Sequence, residues 1–312
     1  MNEGAVLVTG VGGMIGAAVL RQLMADGIPV VAADRVRPSD PDLDGLSVPF
    51  LAHDLPDPSR WHEAILRFGI RRVVHAGGIS GPMLLRDNPS RVCEINIAGL
   101  GGLLEAARIH RLGRIVWFSS IVAYGNRQDL TPVDENTPLR PDTVYGASKA
   151  AGEALIHAYH AEHGVDVVAL RVASCYGAGR TTSCMIRTLI EDGLTGRVSR
   201  IHPAAGRTRQ HVFIDDVVGA VRGALDAPAL PQRAYNIGPG RAQCLSEIVE
   251  QVQTAVPAAE AVLDPQGLAW NTFGLGPLVI DAARRDLGFS PATSIADGAA
   301  ATRNWVIDRG IS

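Results

Sequence analysis

Cysteine is scarce in the 312-residue sequence, and the four present (Cys93, Cys175, Cys184, Cys244) stand at no metal-ligand spacing. Scattered thiols of this kind read as small buried hydrophobes in a reducing compartment, and no metal is expected. No uncharged apolar run approaches the ~18 residues that a membrane span needs, and the first residues show no basic-then-apolar leader. A cytoplasmic location is therefore expected. The net charge of −3 offers no field for a polyanion. The basic stretch Arg197, Arg200, Arg207 and Arg209 lacks interleaved aromatics, so neither nucleic acid nor a membrane surface is expected as a partner. Repeats, low-complexity tracts and linkers are missing too. What remains, 46% hydrophobic and 20% charged residues, is the composition of a globular chain long enough to bury its own core.

The first half alternates short apolar runs with helical patterns. Residues 5–9, 29–33, 48–52, 72–75, 114–118 and 165–171 read as buried strands. Residues 15–26, 59–68, 91–110 and 145–163 read as amphipathic helices. Strands that alternate with helices give βαβ units, hence a parallel sheet covered on both faces. The expected class is α/β, a Rossmann-type doubly wound parallel sheet with a smaller interleaved C-terminal lobe. Residues 1–171 would form the sheet domain, with returning segments near 209–237, and 172–312 mainly the lobe.

Glycines recur at 10, 13 and 16 between the first strand and the first helix. That placement suits a tight turn, close approach of a pyrophosphate to the backbone, and close packing of helix on strand. A helix start adds unpaired N–H groups and a favourable dipole for phosphate. Asp34, at the end of the second strand, can accept both adenosine ribose hydroxyls and repel a 2′-phosphate, which favours NAD over NADP. Arg35 and Arg37 would partly offset that repulsion. Asp54, after the third strand, can reach an adenine amine or simply end a strand.

A second constellation is Tyr145-Gly146-Ala147-Ser148-Lys149 at the start of a helical pattern. Four residues apart, tyrosine and lysine share one helix face. A nearby ammonium lowers a phenol pKa, which makes Tyr145 a proton acceptor and donor near neutrality. Ser119-Ser120 ends the fifth strand, where an α/β sheet presents its ligand crevice, and a hydroxyl there can steady a reacting oxygen.

With these residues in place the chain resembles the extended short-chain dehydrogenases/reductases, the NAD-dependent epimerase/dehydratase family. The likeness runs through His75-Ala76-Gly77-Gly78, Asn96 in Asn96-Ile97-Ala98-Gly99, and Ser119 to Gly125. It continues through Leu170-Arg171, Arg209 to Val217, Tyr235 to Gly238, and Leu287 to Phe289. The resemblance implies Ser120, Tyr145 and Lys149 as catalytic residues; Ser120 is preferred over Ser119 because it lies four residues before the Tyr124-Gly125 pair. It implies NAD contacts from Gly10, Gly13, Met14, Ile15, Gly16, Asp34, Arg35, Asp54, Leu55, Ala76, Gly77, Gly78, Asn96, Tyr145 and Lys149. Substrate contacts would come from Ser80, Ser120, Ser174, Arg180 and Arg209. A homodimer is expected through helices 94–109 and 145–159, the alternative being burial within one subunit.

Three departures bear on the substrate, a small sugar-type anion. Ser174 stands where nucleotide-sugar members often carry Asn, and Trp270 where they tend to carry a diphosphate-gripping Arg. Ile121 and Val122 follow Ser120, where dehydratases place an acid, so dehydration is disfavoured. The leading expectation is a nucleotide-sugar epimerase resembling UDP-glucose 4-epimerases. The rival is an NAD-dependent dehydrogenase or reductase of a free sugar, sugar acid or small polyol. A third reading, an NAD-binding sensor without catalysis, has no use for a full Ser-Tyr-Lys set.

Overall fold

In the computed structural model, which describes residues 4–38, 48–127, 129–203, 209–268 and 274–310, the apolar runs of the first half become parallel strands. They are β1 (Ala5–Thr9), β2 (Val30–Asp34), β3 (Phe50–Ala52), β4 (Ile70–His75), β5 (Ile115–Ser120) and β6 (Val167–Val172). With a later strand, β10 (Ala234–Ile237), they form one sheet in the order β10-β6-β5-β4-β1-β2-β3. Every pairing in it is parallel. The chain winds outward from β1 to β3 and then returns to the other side of β1 as β4. That reversal opens a crevice at the carboxyl ends of β1 and β4, the usual ligand position in such sheets.

Both faces are covered, which is why the strands are apolar throughout rather than alternating. Val6 and Val8 of β1 join one core, with Ala17, Leu20 and Leu23 of α1 (Met14–Ala25) and Val217 and Val221 of α7 (Ile214–Asp226). Leu7 faces the other way, into a core with Trp61 of α2 (Pro58–Phe68), Leu103 of α4 (Gly99–His110) and Ile156 of α5 (Val144–His163).

The helix expected over 91–110 runs from 89 to 110 but widens for one turn on the way. A short helix α3 (Pro89–Cys93) passes into a π-turn (Glu94–Ala98) before α4 begins. The reason is Asn96, which the wider turn swings inward and buries to bond with two other segments; such turns recur at functional sites.

The irregular second half builds two small parallel ribbons. β7 (Ser174–Tyr176) pairs with β9 (His211–Phe213), and β8 (Val198–Ile201) with β11 (Glu260–Leu263). Around them pack α6 (Met185–Leu194), α8 (Leu245–Ala255), α9 (Asp281–Leu287) and α10 (Ile295–Asp308). Within the returning segment expected near 209–237, β9 is followed at once by α7. Among the described residues, no helix is long and apolar enough to cross a membrane.

Candidate active site

The crevice is lined first by main chain. Gly10 leaves β1 in the left-handed region at φ 71°, and a Cβ there would lie 2.6 Å from the Gly77 nitrogen. A Cβ on Gly16 would run into the Gly10 carbonyl oxygen. The turn, the helix and the β4 loop therefore meet backbone to backbone. Gly13 is the N-cap of α1, with no side chain to cap the helix, and no acid stands in its first turn. Its leading N–H groups are left for an external anion.

Asp34 closes β2, with one carboxylate oxygen accepting from Gly12 N at 2.9 Å and the other from Arg35 N at 2.7 Å. Arg37 turns aside to stack over the Phe50 ring at 4.9 Å. Asp54 holds Arg91 at 2.9 Å, and Leu55 packs beside the positions of Gly77 and Gly99. The chemistry of this cradle fits an adenine dinucleotide: an uncapped helix start suits pyrophosphate, and the Asp34 carboxylate at the end of β2 suits ribose hydroxyls.

Thr9 was not singled out by the sequence. Its hydroxyl accepts from Gly77 N at 3.0 Å and lies 2.7 Å from His75 Nδ1. Burial pushes His75 down to about 3, so its imidazole is neutral near pH 7. Asn96 acts similarly: it accepts from Ile79 N at 2.8 Å and donates to Ser148 Oγ at 2.9 Å, tying the β4 loop to α5. It is placed as a clamp beneath the crevice.

Ser120, Tyr145 and Lys149 come together. Ser120 ends β5, its Oγ accepting from Val122 N at 3.2 Å and lying close enough to the Tyr145 phenol to pull its pKa down. Successive strand residues face opposite ways, and Ser119 accordingly turns from this site to bond Glu153. Thr143 caps α5 by accepting from Gly146 N at 3.0 Å, which fixes Tyr145 in the first turn. One turn on, Lys149 Nζ donates to the Phe118 carbonyl at 2.8 Å. It lies 4.7 Å from the Trp117 ring centre and 5.8 Å from that of Tyr145.

Burial raises the Tyr145 phenol, and Ser120 and Arg180 pull it down. The Lys149 ammonium is turned to the Phe118 carbonyl and the Trp117 face, with the Tyr145 ring beside it. Burial in turn pushes Lys149 down to about 8, against the pull of Glu153.

On the lobe side, Ser174 stands in register with His211 across the β7–β9 ribbon. Arg180 donates to the carbonyls of Cys175, Thr182 and Ser183, and its charge reaches Tyr145. Arg187 braces it by donating to the Arg180 carbonyl and pairing with Glu191. Arg209 is buried, its main chain paired both ways with Gln243 at 2.7 and 2.8 Å. Burial pushes its pKa down to about 10, so it stays charged at neutrality. His211 is buried and neutral, with Nδ1 lacking a hydrogen-bond partner. Ser80 is exposed on the loop after β4. Arg207 and Trp270 lie outside the described residues.

A family model for the NAD dependent epimerase/dehydratase family matches residues 6–238. The chain belongs to this family. NAD is the family's cofactor, as the cradle between β1, β2 and β4 leads one to expect. Curated relatives of the chain include proteins named for each chemistry. It is 31% identical to a dTDP-glucose 4,6-dehydratase of Streptomyces griseus, over 96% of this chain and 93% of that protein. It is 28% identical to the UDP-glucose 4-epimerase of Mycolicibacterium smegmatis, over 95% and 96%. Among solved structures, the UDP-glucose 4-epimerase of Thermus thermophilus in complex with NAD superposes with a TM-score of 0.84 at 25% identity, covering 99% of this chain and all of that one. The Thermotoga maritima UDP-glucose 4-epimerase, at 22% identity and a TM-score of 0.89, shares the fold.

Proposed function

We propose that the protein is a nucleotide-sugar 4-epimerase, with Tyr145 as acid and base. The observation that carries this reading is the buried Ser120–Tyr145 contact at the sheet's crevice, with Lys149 behind it and the dinucleotide cradle alongside. Gly10, Gly13, Met14, Ile15 and Gly16 would hold the pyrophosphate, Asp34 the adenosine ribose, and Asp54 and Leu55 the adenine. The bound dinucleotide supplies the acceptor and donor for hydride at the carbinol carbon. Tyr145 takes the hydroxyl proton of that carbon and later returns it. Ser120 bonds the same oxygen while its charge changes, and Lys149 provides positive charge behind the phenol. Arg180 and Arg209, on the lobe 172–312, would grip the anionic part of the substrate, with Ser174 and Ser80 at its rim.

Relatives named dehydratases raise the alternative of water elimination. The two residues after Ser120 argue against it: Ile121 and Val122 are buried hydrocarbons, unable to move a proton. A second reading, net dehydrogenation of a free sugar, sugar acid or polyol, draws support from Ser174, where nucleotide-sugar binders often carry Asn. Two copies of the chain would meet through α4 and α5, where Ile109 and Val144 are exposed, and the enzyme would work in the cytoplasm.

One experiment separates the readings. Protein purified without added cofactor is assayed for retained NAD and then given UDP-glucose. Bound NAD and UDP-galactose without net NADH is the expected result; stoichiometric NADH with an oxidised sugar would overturn it in favour of the dehydrogenase.

A further inference from the structure

Directly beneath the Ser120–Tyr145–Lys149 cluster runs a buried polar row that the mechanism above leaves unused. Ser119, Arg171 and Asn236 lie side by side across β5, β6 and β10, in register with one another. Glu153, one helical turn after Lys149 on α5, reaches down to this row. Ser119 Oγ donates to Glu153 Oε1 at 2.5 Å. Arg171 Nε lies 3.0 Å from both carboxylate oxygens, and its Nη2 donates to Oε2 at 2.6 Å. The guanidinium's remaining side is taken by Tyr124 OH at 2.7 Å and the Glu135 carbonyl at 2.9 Å. Tyr124 OH in turn lies 2.7 Å from Asn236 Oδ1, and Asn236 Nδ2 holds the carbonyls of Val133 and Val279 at 3.1 Å.

Stability alone does not account for this row. Burying an ion pair costs desolvation of both charges, and apolar residues of the same size usually do as well or better. Glu153 and Arg171 are nevertheless both under a tenth exposed. What the row achieves is a carboxylate that cannot swing, placed on the helix face it shares with Lys149. The other groups facing Lys149 are Tyr145 from its own helix, neutral His75 from β4, and the Trp117 ring and Phe118 carbonyl from β5. Arg171, from β6, meets Glu153 from the sheet side. Glu153 is the negative charge in this set.

We propose that Glu153 is a positioning residue for the reaction: locked by Ser119 and Arg171, its carboxylate keeps Lys149 charged and the Ser119–Ser120 strand end seated against α5. This rests on the roles given above to Ser120, Tyr145 and Lys149. Without the carboxylate, the burial that already holds Lys149 at about 8 acts unopposed, and the ammonium loses its proton at lower pH.

The sequence supplies its own probe, because Lys149 is the sole lysine. Holoenzyme grown on isotope-labelled lysine gives one lysine side-chain NMR signal, whose pH midpoint is the titration of Lys149. In Glu153→Gln we expect that midpoint to fall by about one unit or more. The alkaline limb of kcat should fall with it, KM for UDP-glucose should stay roughly unchanged, and activity should recover toward acid pH. Should Glu153→Gln not accumulate as folded protein, Glu153→Asp withdraws the charge by one methylene and should shift the midpoint less, in the same direction. A midpoint that stays put in the folded variant, or a kcat reduced equally at every pH, would overturn the proposal. Failure of the wild type to turn over any nucleotide sugar would count against the assigned reaction, while the NMR midpoint would still decide the role of Glu153.

Discussion

The two sides of the crevice are built on different principles. On the sheet side, function is written into main-chain geometry: Gly10 and Gly16 let strand, turn and helix touch where a single methyl group would collide. On the lobe side it is written into side chains that cross between remote segments. Gln210 joins Gly276 and Leu278, and Gln243 accepts from His211 N. Close backbone approach demands glycine at fixed spacing, so it is visible in a sequence. A cross-link between positions dozens of residues apart has no local signature, so the lobe becomes readable only once folded.

This contrast can be broken most forcefully at the seam between the two sides. Tyr145→Phe keeps the ring and removes only the proton-transfer group. Turnover should fall by ~10²–10⁴ while NAD affinity is nearly unchanged; steady-state rates and an NAD titration check both. On the sheet side, Gly16→Ala puts a Cβ against a carbonyl oxygen that cannot yield. A loss of about 1–3 kcal/mol in stability is expected from overpacking, together with loss of retained NAD, read by denaturant melts and cofactor content. On the lobe side, charge should matter more than shape. Removing a hydrogen bond to a charged group weakens binding by about 1.5–3 kcal/mol, so Arg209→Ala should raise substrate KM more than about tenfold with NAD affinity unaltered. An unchanged KM would move the anion grip to Arg180.

The smallest effect concerns pH. Burial holds Lys149 at about 8, so its charge is present below that pH and lost above it. Accordingly kcat should decline as pH rises through about 8. Stability should move the opposite way over the window between about 8 and the ordinary lysine value, because there the unfolded chain holds the extra proton. Melting curves across that window, beside rate profiles, test the sign of each.

Much of the sheet half was legible because periodicity and glycine placement are local signals. The glycine turn, the strand ending at Asp34 and the helix opening at Tyr145 follow directly from them. Three things were not legible. The π-turn at Asn96 arises from bonds to Ile79 and Ser148, and so from tertiary structure rather than from helix propensity. The direction of the Lys149 ammonium depends on a carbonyl of β5 that spacing along the helix does not reveal. The Glu153–Arg171 pair joins a helix to a strand, and neither residue is distinctive in its own neighbourhood.

The account turns on hydride leaving one carbon and returning to it while Tyr145 manages the proton. UDP-galactose carrying deuterium at C4 tests this most directly. The account predicts UDP-glucose with the deuterium still at C4, no labelled NADH released, and conversion slowed by ~10²–10⁴ in Tyr145→Phe. Deuterium in free NADH, or its exchange into water, would contradict it.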